Sequence, residues 1–386
     1  MQRIKVAVVR CPDYTPQTVY QAVKELFYLL GGIPKFLHAG KRIVLKPNVL
    51  GVVRPEKAVT THPEVVRAVC RIIKEAGAYA QIGESSGCSA FNKTGEAFER
   101  SGIRKVAQEL AVPLVNFDEA ECNKIYLEGI EKELAFPRVL FECDSIISLP
   151  KLKTHSLTGL TGALKNMFGV IPGPRKGHLH REFADKEAFS VAMISILQRV
   201  RPQLSIMDAV YGMEGNGPAG GRPKKIGCLI ASEDPVALDT IVAEKIIKLD
   251  SAYLDIIKVG DRMNAGVSRL DSIEVLGDFI NDLASIKIRL PTSFYVYSHG
   301  FLPVPFKRFI MTRLFKGRPF PRITRNCVRC GKCVSVCPVH AMRMDAKSKK
   351  VRIDLKKCIS CFCCNEACEY KGVSPDIPLS WKFIHL

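Results

Sequence analysis

Cys327-Val-Arg-Cys330-Gly-Lys-Cys333-Val-Ser-Val-Cys337-Pro338 is the stretch on which the reading of this 386-residue chain turns. Its spacing, C-x2-C-x2-C-x3-C-P, returns 31 residues later as Cys358-Ile-Ser-Cys361-Phe-Cys-Cys364-Asn-Glu-Ala-Cys368. A C-x2-C-x2-C loop can wrap three thiolates around three irons of one cubane, while the fourth cysteine, on the short helix that follows, points away from its own loop. Zinc sites instead pair C-x2-C knuckles across a longer gap and do not need the x3-C-P step. A disulfide scaffold is the other alternative. The opening MQRIKVAVVRC argues against it: the apolar run breaks at Arg10 and turns at Pro12, so it reads as a strand rather than an export signal. A reducing, cytoplasmic setting is expected.

The repeated motif resembles the bacterial-type ferredoxin that carries two [4Fe-4S] clusters. The resemblance implies a small α+β domain over residues 326–386. It also implies two ligand sets, each completed by the other repeat's fourth cysteine: Cys327, Cys330, Cys333 with Cys368, and Cys358, Cys361, Cys364 with Cys337. One departure is Glu369, which stands where the family usually has a second proline. Cys363 is a ninth, unassigned thiol, and His340 is expected to pack or face solvent.

Charge follows the thiols. The formal net charge is +19, and nine of the 15 cysteines lie between Cys327 and Cys368. Residues 301–357 hold 16 Lys and Arg against only Asp345 and Asp354. Cations beside an anionic cluster stabilise its reduced state, and they also steer an acidic redox partner; a solvated basic face is the alternative. Residues 291–325 form a basic, aromatic linker. Within it Phe306, Phe309, Ile310 and Leu314 fall on one helical face, with Lys307, Arg308 and Lys316 elsewhere. Such a helix either packs on a neighbouring domain or makes peripheral membrane contact through residues 301–316. Nucleic acid has no accompanying signature.

Residues 1–290 alternate strand-like and helix-like segments, the pattern of an α/β domain with a largely parallel sheet. Ile4–Val9, Arg42–Leu45, Ala78–Ile82, Ser145–Leu149, Leu204–Met207 and Ile226–Ile230 read as strands. Helices are expected over about 16–30 and, with a threonine cap and an early proline, from Thr61-His62-Pro63-Glu64 to Ala76. Polar segments follow the strands, where open α/β sheets place ligand sites: Lys46-Pro47-Asn48, Gly83-Glu84-Ser85-Ser86-Gly87, Pro150-Lys151-Leu152-Lys153-Thr154-His155, Thr158–Asn166 and Asp208–Pro218. Together with the THPEVV helix start and DPVALD, they resemble domain of unknown function 362 over most of residues 1–260. That resemblance implies an α/β domain joined to cubane clusters. It implies no substrate.

Lys46, Lys151, Lys153 and Lys165, gathered at one sheet edge, would bind a carboxylate or phosphate, with Asn48, Asn166 and backbone N–H groups of the TGLTG and GESSG loops as neutral donors. A solvated side chain is the alternative for each. No nucleotide-binding motif accompanies them. His155, with Lys153 and Lys165, is the leading catalytic candidate. His155, His178 and His180 with Glu84, Asp208 and Asp239 form a candidate acid–base or mononuclear metal group, in which His178-Leu-His180 would put both rings on one side of an extended chain. Cys88 is a candidate reactive thiol. The leading expectation is that two [4Fe-4S] clusters exchange electrons with a small anionic substrate or a protein partner at the α/β domain. That would make the chain an oxidoreductase, although the enzymatic assignment stays open. The alternatives are an electron-carrier or docking module with no catalytic site of its own, and a non-redox enzyme acting on a carboxylate.

Overall fold

The structure, a computed structural model, describes residues 3–87, 92–279, 281–294 and 318–378. The strands of the larger unit are β1 (Ile4–Arg10), β2 (Arg42–Pro47), β3 (Tyr79–Glu84), β4 (Leu114–Asn116), β5 (Cys122–Leu127), β6 (Lys132–Pro137), β7 (Ser145–Leu149), β8 (Lys151–His155), β9 (Gly159–Thr161), β10 (Leu204–Glu214), β11 (Arg222–Ser232) and β12 (Ile273–Leu276). Strand alternation explains their burial. Val6 and Val8 enter one core while Ala7 and Val9 enter the other, and β2 divides in the same way between Val44 and the pair Ile43 and Leu45. A sheet apolar on both faces needs cover on both. The helices Pro16–Leu29 and Pro63–Glu75 supply one layer, and Lys186–Arg199, Pro235–Ile241 and Asp255–Arg262 the other.

The ten-stranded sheet runs β12-β1-β11-β10-β7-β2-β3-β4, with β8 branching from β10 to pair β9. Pairs from β4 through β10 are parallel, as is β1 with β12; β11 runs antiparallel to both its neighbours. The expected α/β class therefore holds, with a mostly parallel sheet. Three local expectations do not. Asp208 lies inside a strand that continues to Glu214, so the following loop begins at Gly215. The Lys151–His155 segment is itself strand β8, diverging after Pro150, rather than a loop. The helix at Pro63 is capped by His62, which accepts from the Glu64 N–H at 3.2 Å; Thr61 instead donates to the Leu149 carbonyl.

The smaller unit also takes up a strand, from Phe320, that lies in the expected linker. There β13 (Phe320–Ile323) pairs antiparallel with β16 (Val373–Asp376), enclosing the ribbon of β14 (Met342–Met344) and β15 (Val351–Ile353). The cysteine repeat is a backbone repeat as well. Left-handed residues recur at the same 31-residue offset: Arg329 and Ser360, Gly331 and Phe362, His340 and Lys371. The short helices Lys332–Ser335 and Cys363–Glu366 correspond too. Phe362 is buried in the core of the α/β unit, which fixes the two units against each other. Burying such a side chain contributes about 1.5–3 kcal/mol. The amphipathic stretch 301–316 and Cys88 lie outside the described residues.

Candidate functional site

Lys46, in β2, is fully buried. Its Nζ donates to Glu84 Oε2 (2.7 Å), Asn166 Oδ1 (3.2 Å) and the Pro47 carbonyl (3.0 Å). Glu84, ending β3, also accepts from the N–H groups of Val49 and Ser85. Burial pulls the lysine down and pushes the carboxyl up, and each partner's charge opposes that. With all three ammonium protons and both carboxylate oxygens engaged, the two form an ion pair.

The ion pair orients a row of amides. Asn166 Nδ2 donates to the Lys46 carbonyl and Ser148 Oγ, which turns its Oδ1 towards Lys46 and Asn48 Nδ2. Asn48 then presents its own Oδ1 to Lys153 Nζ at 2.7 Å, and Lys153 donates a second bond, also 2.7 Å, to the Val59 carbonyl. Burial, followed by repulsion from Lys165, holds Lys153 well below the ordinary lysine range. Lys151 belongs elsewhere. It donates to Asp208 Oδ2 (2.7 Å) and the Tyr14 hydroxyl (2.8 Å), in a group closed by the ring of His62 stacked on Tyr14.

His155, at the end of β8, accepts the Leu157 and Thr158 N–H groups at Nδ1, so the proton of its neutral ring sits on Nε2. That nitrogen lies 2.9 Å from Glu366 Oε1, a close contact without hydrogen-bond alignment. Burial and Lys165 push His155 down to about 4. Burial pushes Glu366 up, but His155 and Lys165 outweigh it and bring the carboxyl down to about 2. Glu366 belongs to the smaller unit, between Cys364 and Cys368.

A cavity of about 50 Å³ lies between the two units, with Asn48, Lys153, Thr161, Lys165, Asn166 and Glu366 in its wall; Lys46 and His155 touch these residues without lining it. Thr161 Oγ1 and Glu366 Oε1 are both buried on this wall without an aligned hydrogen-bond partner. Lys176 also reaches it, held by the carbonyls of Ser85 and Ile171 and by Ser85 Oγ, which in turn donates to Asp118. Sequence reasoning missed Lys176, Asp118 and Glu366.

Several expected site features separate in space. His178 and His180 lie on the helix Arg175–Glu182, not on an extended chain. His178 is exposed and stands apart, whereas His180 lines the cavity, buried against Phe189 and pushed down to about 3 by that burial. Asp239 is spent on the N–H groups of Ala163 and Leu164 (2.7 and 3.0 Å), so those two N–H groups are not available to a ligand. A Cβ on Gly162 would fall 2.0 Å from Asp239 Oδ1, which explains the glycine there. Among the described residues, no three His, Cys, Asp or Glu side chains converge as a single-ion site.

The cysteines of the two motifs crowd one another. Cys333 is pushed up to about 11 by burial and then by Cys368, Cys327 and Cys330. Cys364 is raised by burial and then by Cys361, Cys358, Cys333 and Cys337. Backbone N–H groups of Ala341, Ser360 and Gly372 point at the sulfurs of Cys337, Cys358 and Cys368. Crowded thiols that disfavour their own ionisation, with N–H donors aimed at sulfur, suit thiolates shared by a metal cluster. Cys363 is fully buried, and Glu369 pairs with Lys332.

The family described as "Domain of unknown function (DUF362)" matches residues 43–244, and that described as "4Fe-4S dicluster domain" matches residues 326–371. A thylakoid-associated protein of Synechocystis sp. is 33% identical over 261 residues, 67% of this chain and 79% of that protein. Two shorter matches are each 37% identical over 68 residues. One is the polyferredoxin-like subunit of an aliphatic sulfonate oxidoreductase from Pyrococcus furiosus, covering 17% of this chain and 38% of that protein. The other is the iron-sulfur cluster-binding subunit of a menaquinone reductase from Nitratidesulfovibrio vulgaris, covering 16% and 27%. Among solved structures, the lactate racemase apoprotein from Thermoanaerobacterium thermosaccharolyticum matches with a TM-score of 0.42 at 15% identity, over 64% of this chain and 58% of that one. The smaller unit is thus a 4Fe-4S domain by family. Among the described residues no helix is long and apolar enough to cross a membrane.

Proposed function

The chain belongs to the family described as Domain of unknown function (DUF362), and from that premise we propose that it is an iron–sulfur oxidoreductase acting on a small anion held in the cavity between its two units. Cys327, Cys330, Cys333 and Cys368 would hold one [4Fe-4S] cluster, and Cys358, Cys361, Cys364 and Cys337 the other. Such clusters supply one-electron transfer.

The observation that carries this reading is the cavity wall. The electron-transfer unit itself contributes Glu366 to a pocket otherwise built by the α/β unit. Lys165 and, when charged, Lys153 face an anion there, and Thr161 Oγ1 is a buried donor awaiting an acceptor. Asn48 and Asn166 hold Lys153 in place. His155 Nε2 stands 2.9 Å from Glu366 Oε1 and stabilises that carboxylate at the cavity wall. The clustering of these groups, rather than their dispersal, favours a catalytic site over a docking module without one.

The test begins with iron, sulfide and paramagnetic resonance on anaerobically purified protein, where about eight irons per chain are expected for two cubanes. Dithionite-reduced protein is then mixed with panels of small carboxylates and oxoanions, and reoxidation is followed by absorbance. A compound that reoxidises wild-type protein but not Lys153→Met, at equal iron content, supports the site. Reoxidation indifferent to Lys153→Met and Lys165→Met would defeat it.

Protein partners fit the same reading, because two of the matching relatives are subunits of larger oxidoreductases. A cytoplasmic protein peripheral to the membrane fits as well. Residues 291–326 contain no acid, and one relative is thylakoid-associated. Co-sedimentation with phosphatidylglycerol vesicles, abolished by Lys307→Glu and Arg308→Glu, is the expected result.

A further inference from the structure

The two cysteine loops differ in exposure at their leading residues, although each motif buries two of its cysteines, Cys333 and Cys337 in the first and Cys358 and Cys364 in the second. In the second, Cys358 and Cys364 are buried, and Phe362 and Glu366 insert into the α/β unit. In the first, Cys330 is exposed and Cys327 partly so, while Val328 between them is 55% exposed. Tyr370, 51% exposed, stands two residues before Gly372, whose N–H points at the Cys368 sulfur and on which a Cβ would fall 2.8 Å from the Cys327 Cα. Val328 and Tyr370 thus offer apolar surface on the same side as the Cys330 thiol's loop.

The charge around that centre is positive. Arg325 and Arg329 are exposed, and no salt bridge among the described residues includes either. Glu369 is taken by Lys332, and Lys371 donates to the Gly221 carbonyl of the α/β unit. The residues outside the described part contain no Asp or Glu, so their side chains cannot neutralise this surface. Encounter surfaces of electron-transfer proteins are small and are oriented by charge.

We propose that the first cysteine loop, with Val328 and Tyr370 at its centre and Arg325 and Arg329 at its rim, is the docking face for an acidic electron-transfer protein. The assignment rests on the electron-transfer reading above for its purpose, but the contact itself is measurable without turnover. It gives the molecule a direction: the first loop meets the partner, and the second meets the cavity.

The experiment measures binding of oxidised flavodoxin, an acidic one-electron carrier, to the full-length iron-loaded protein by calorimetry at low and moderate salt. Wild-type protein should bind, more weakly as salt rises. Arg325→Glu combined with Arg329→Glu should weaken binding by about tenfold at low salt. Tyr370→Ser should weaken it at both salt concentrations, and the control Lys258→Glu, on the α/β surface, should not. Equal weakening by the control would mean non-specific attraction and overturn the proposal, as would unchanged affinity in the loop variants. If the loop variants lose phosphatidylglycerol vesicle binding while flavodoxin binding is intact, the face is a lipid contact and the proposal fails. Iron content measured on the same samples separates the two readings: protein without iron that still binds flavodoxin at this face defeats the cluster assignment and leaves the docking face standing.

Discussion

The two cysteine repeats share their spacing, their left-handed backbone positions and their short helices, yet they face different surroundings. Gly331 in the first corresponds to Phe362 in the second, and exposed Ser335 corresponds to buried Glu366. Ligand geometry constrains the shared features, because three thiolates must wrap one cube from a tight loop. What lies beside the loop decides the rest. Where the first repeat has a conformationally free glycine and a solvated serine, the second has an anchor and an acid, and both enter the larger unit.

Phe362→Ala should have the largest effect. It empties a core position that joins the two units, at a cost of about 3–5 kcal/mol for a buried phenylalanine, and alanine's own Cβ leaves the left-handed backbone no easier. The equivalent change in the first repeat, Gly331→Asn, should cost at most about 1 kcal/mol, since a Cβ there meets nothing within 4 Å and asparagine tolerates a φ of +78°. Denaturant unfolding of both variants measures the contrast. Equal losses would mean that the second loop does not anchor the domain.

A pH profile sharpens the comparison at the next level. His155 and His180 are held down to about 4 and about 3, and Glu366 to about 2. A histidine kept neutral by folding binds its proton more readily when unfolded, so stability present above about pH 6.5 is lost as pH falls towards the folded value. Glu366 acts in the same direction lower down, from about pH 4.3 towards 2. Stability should therefore fall on acidification by an amount on the order of a few kcal/mol. His180→Phe, which keeps a ring against Phe189, should flatten the profile between pH 6.5 and 4; Glu366→Gln should flatten only the part below about 4.5. A profile unchanged in both variants would mean that neither group is coupled to folding.

The metal end and the α/β class were legible because both rest on local spacing: cysteines at fixed offsets, and apolar runs such as Ser145–Leu149 that form the strand expected of them. The candidate site was legible only in part. Lys153, Asn48 and Asn166 do meet at one cavity, whereas Lys151 turns to Asp208, because after Pro150 β8 branches from the line of β7 to pair with β10, and a branching strand has no sequence mark. The His178–His180 pair was misread because an i, i+2 pair shares one side only in a strand, and the segment is a helix. Lys176 was invisible because its partner Ser85 is 91 residues away. Glu366 and Phe362, by contrast, carried a signal. Aligning the two repeats exposes both as departures from their own internal template.

The smallest effect concerns the ribbon between the repeats. Arg343 and Arg352 are directly opposed in the β14–β15 register and exposed, and no salt bridge among the described residues includes either. Like charges in that position repel, so Arg343→Glu should convert a repulsive pair into an attractive one and stabilise the protein by about 0.2–1 kcal/mol, more at low salt than at high. Thermal unfolding at two ionic strengths detects this. A stabilised variant would mean that the ribbon's charge serves something other than the fold, in keeping with the outward-facing role of the first repeat. A destabilised one would mean that Arg343 supports the fold itself, and the division between an outward-facing and an inward-facing half would then have to be redrawn inside the first repeat.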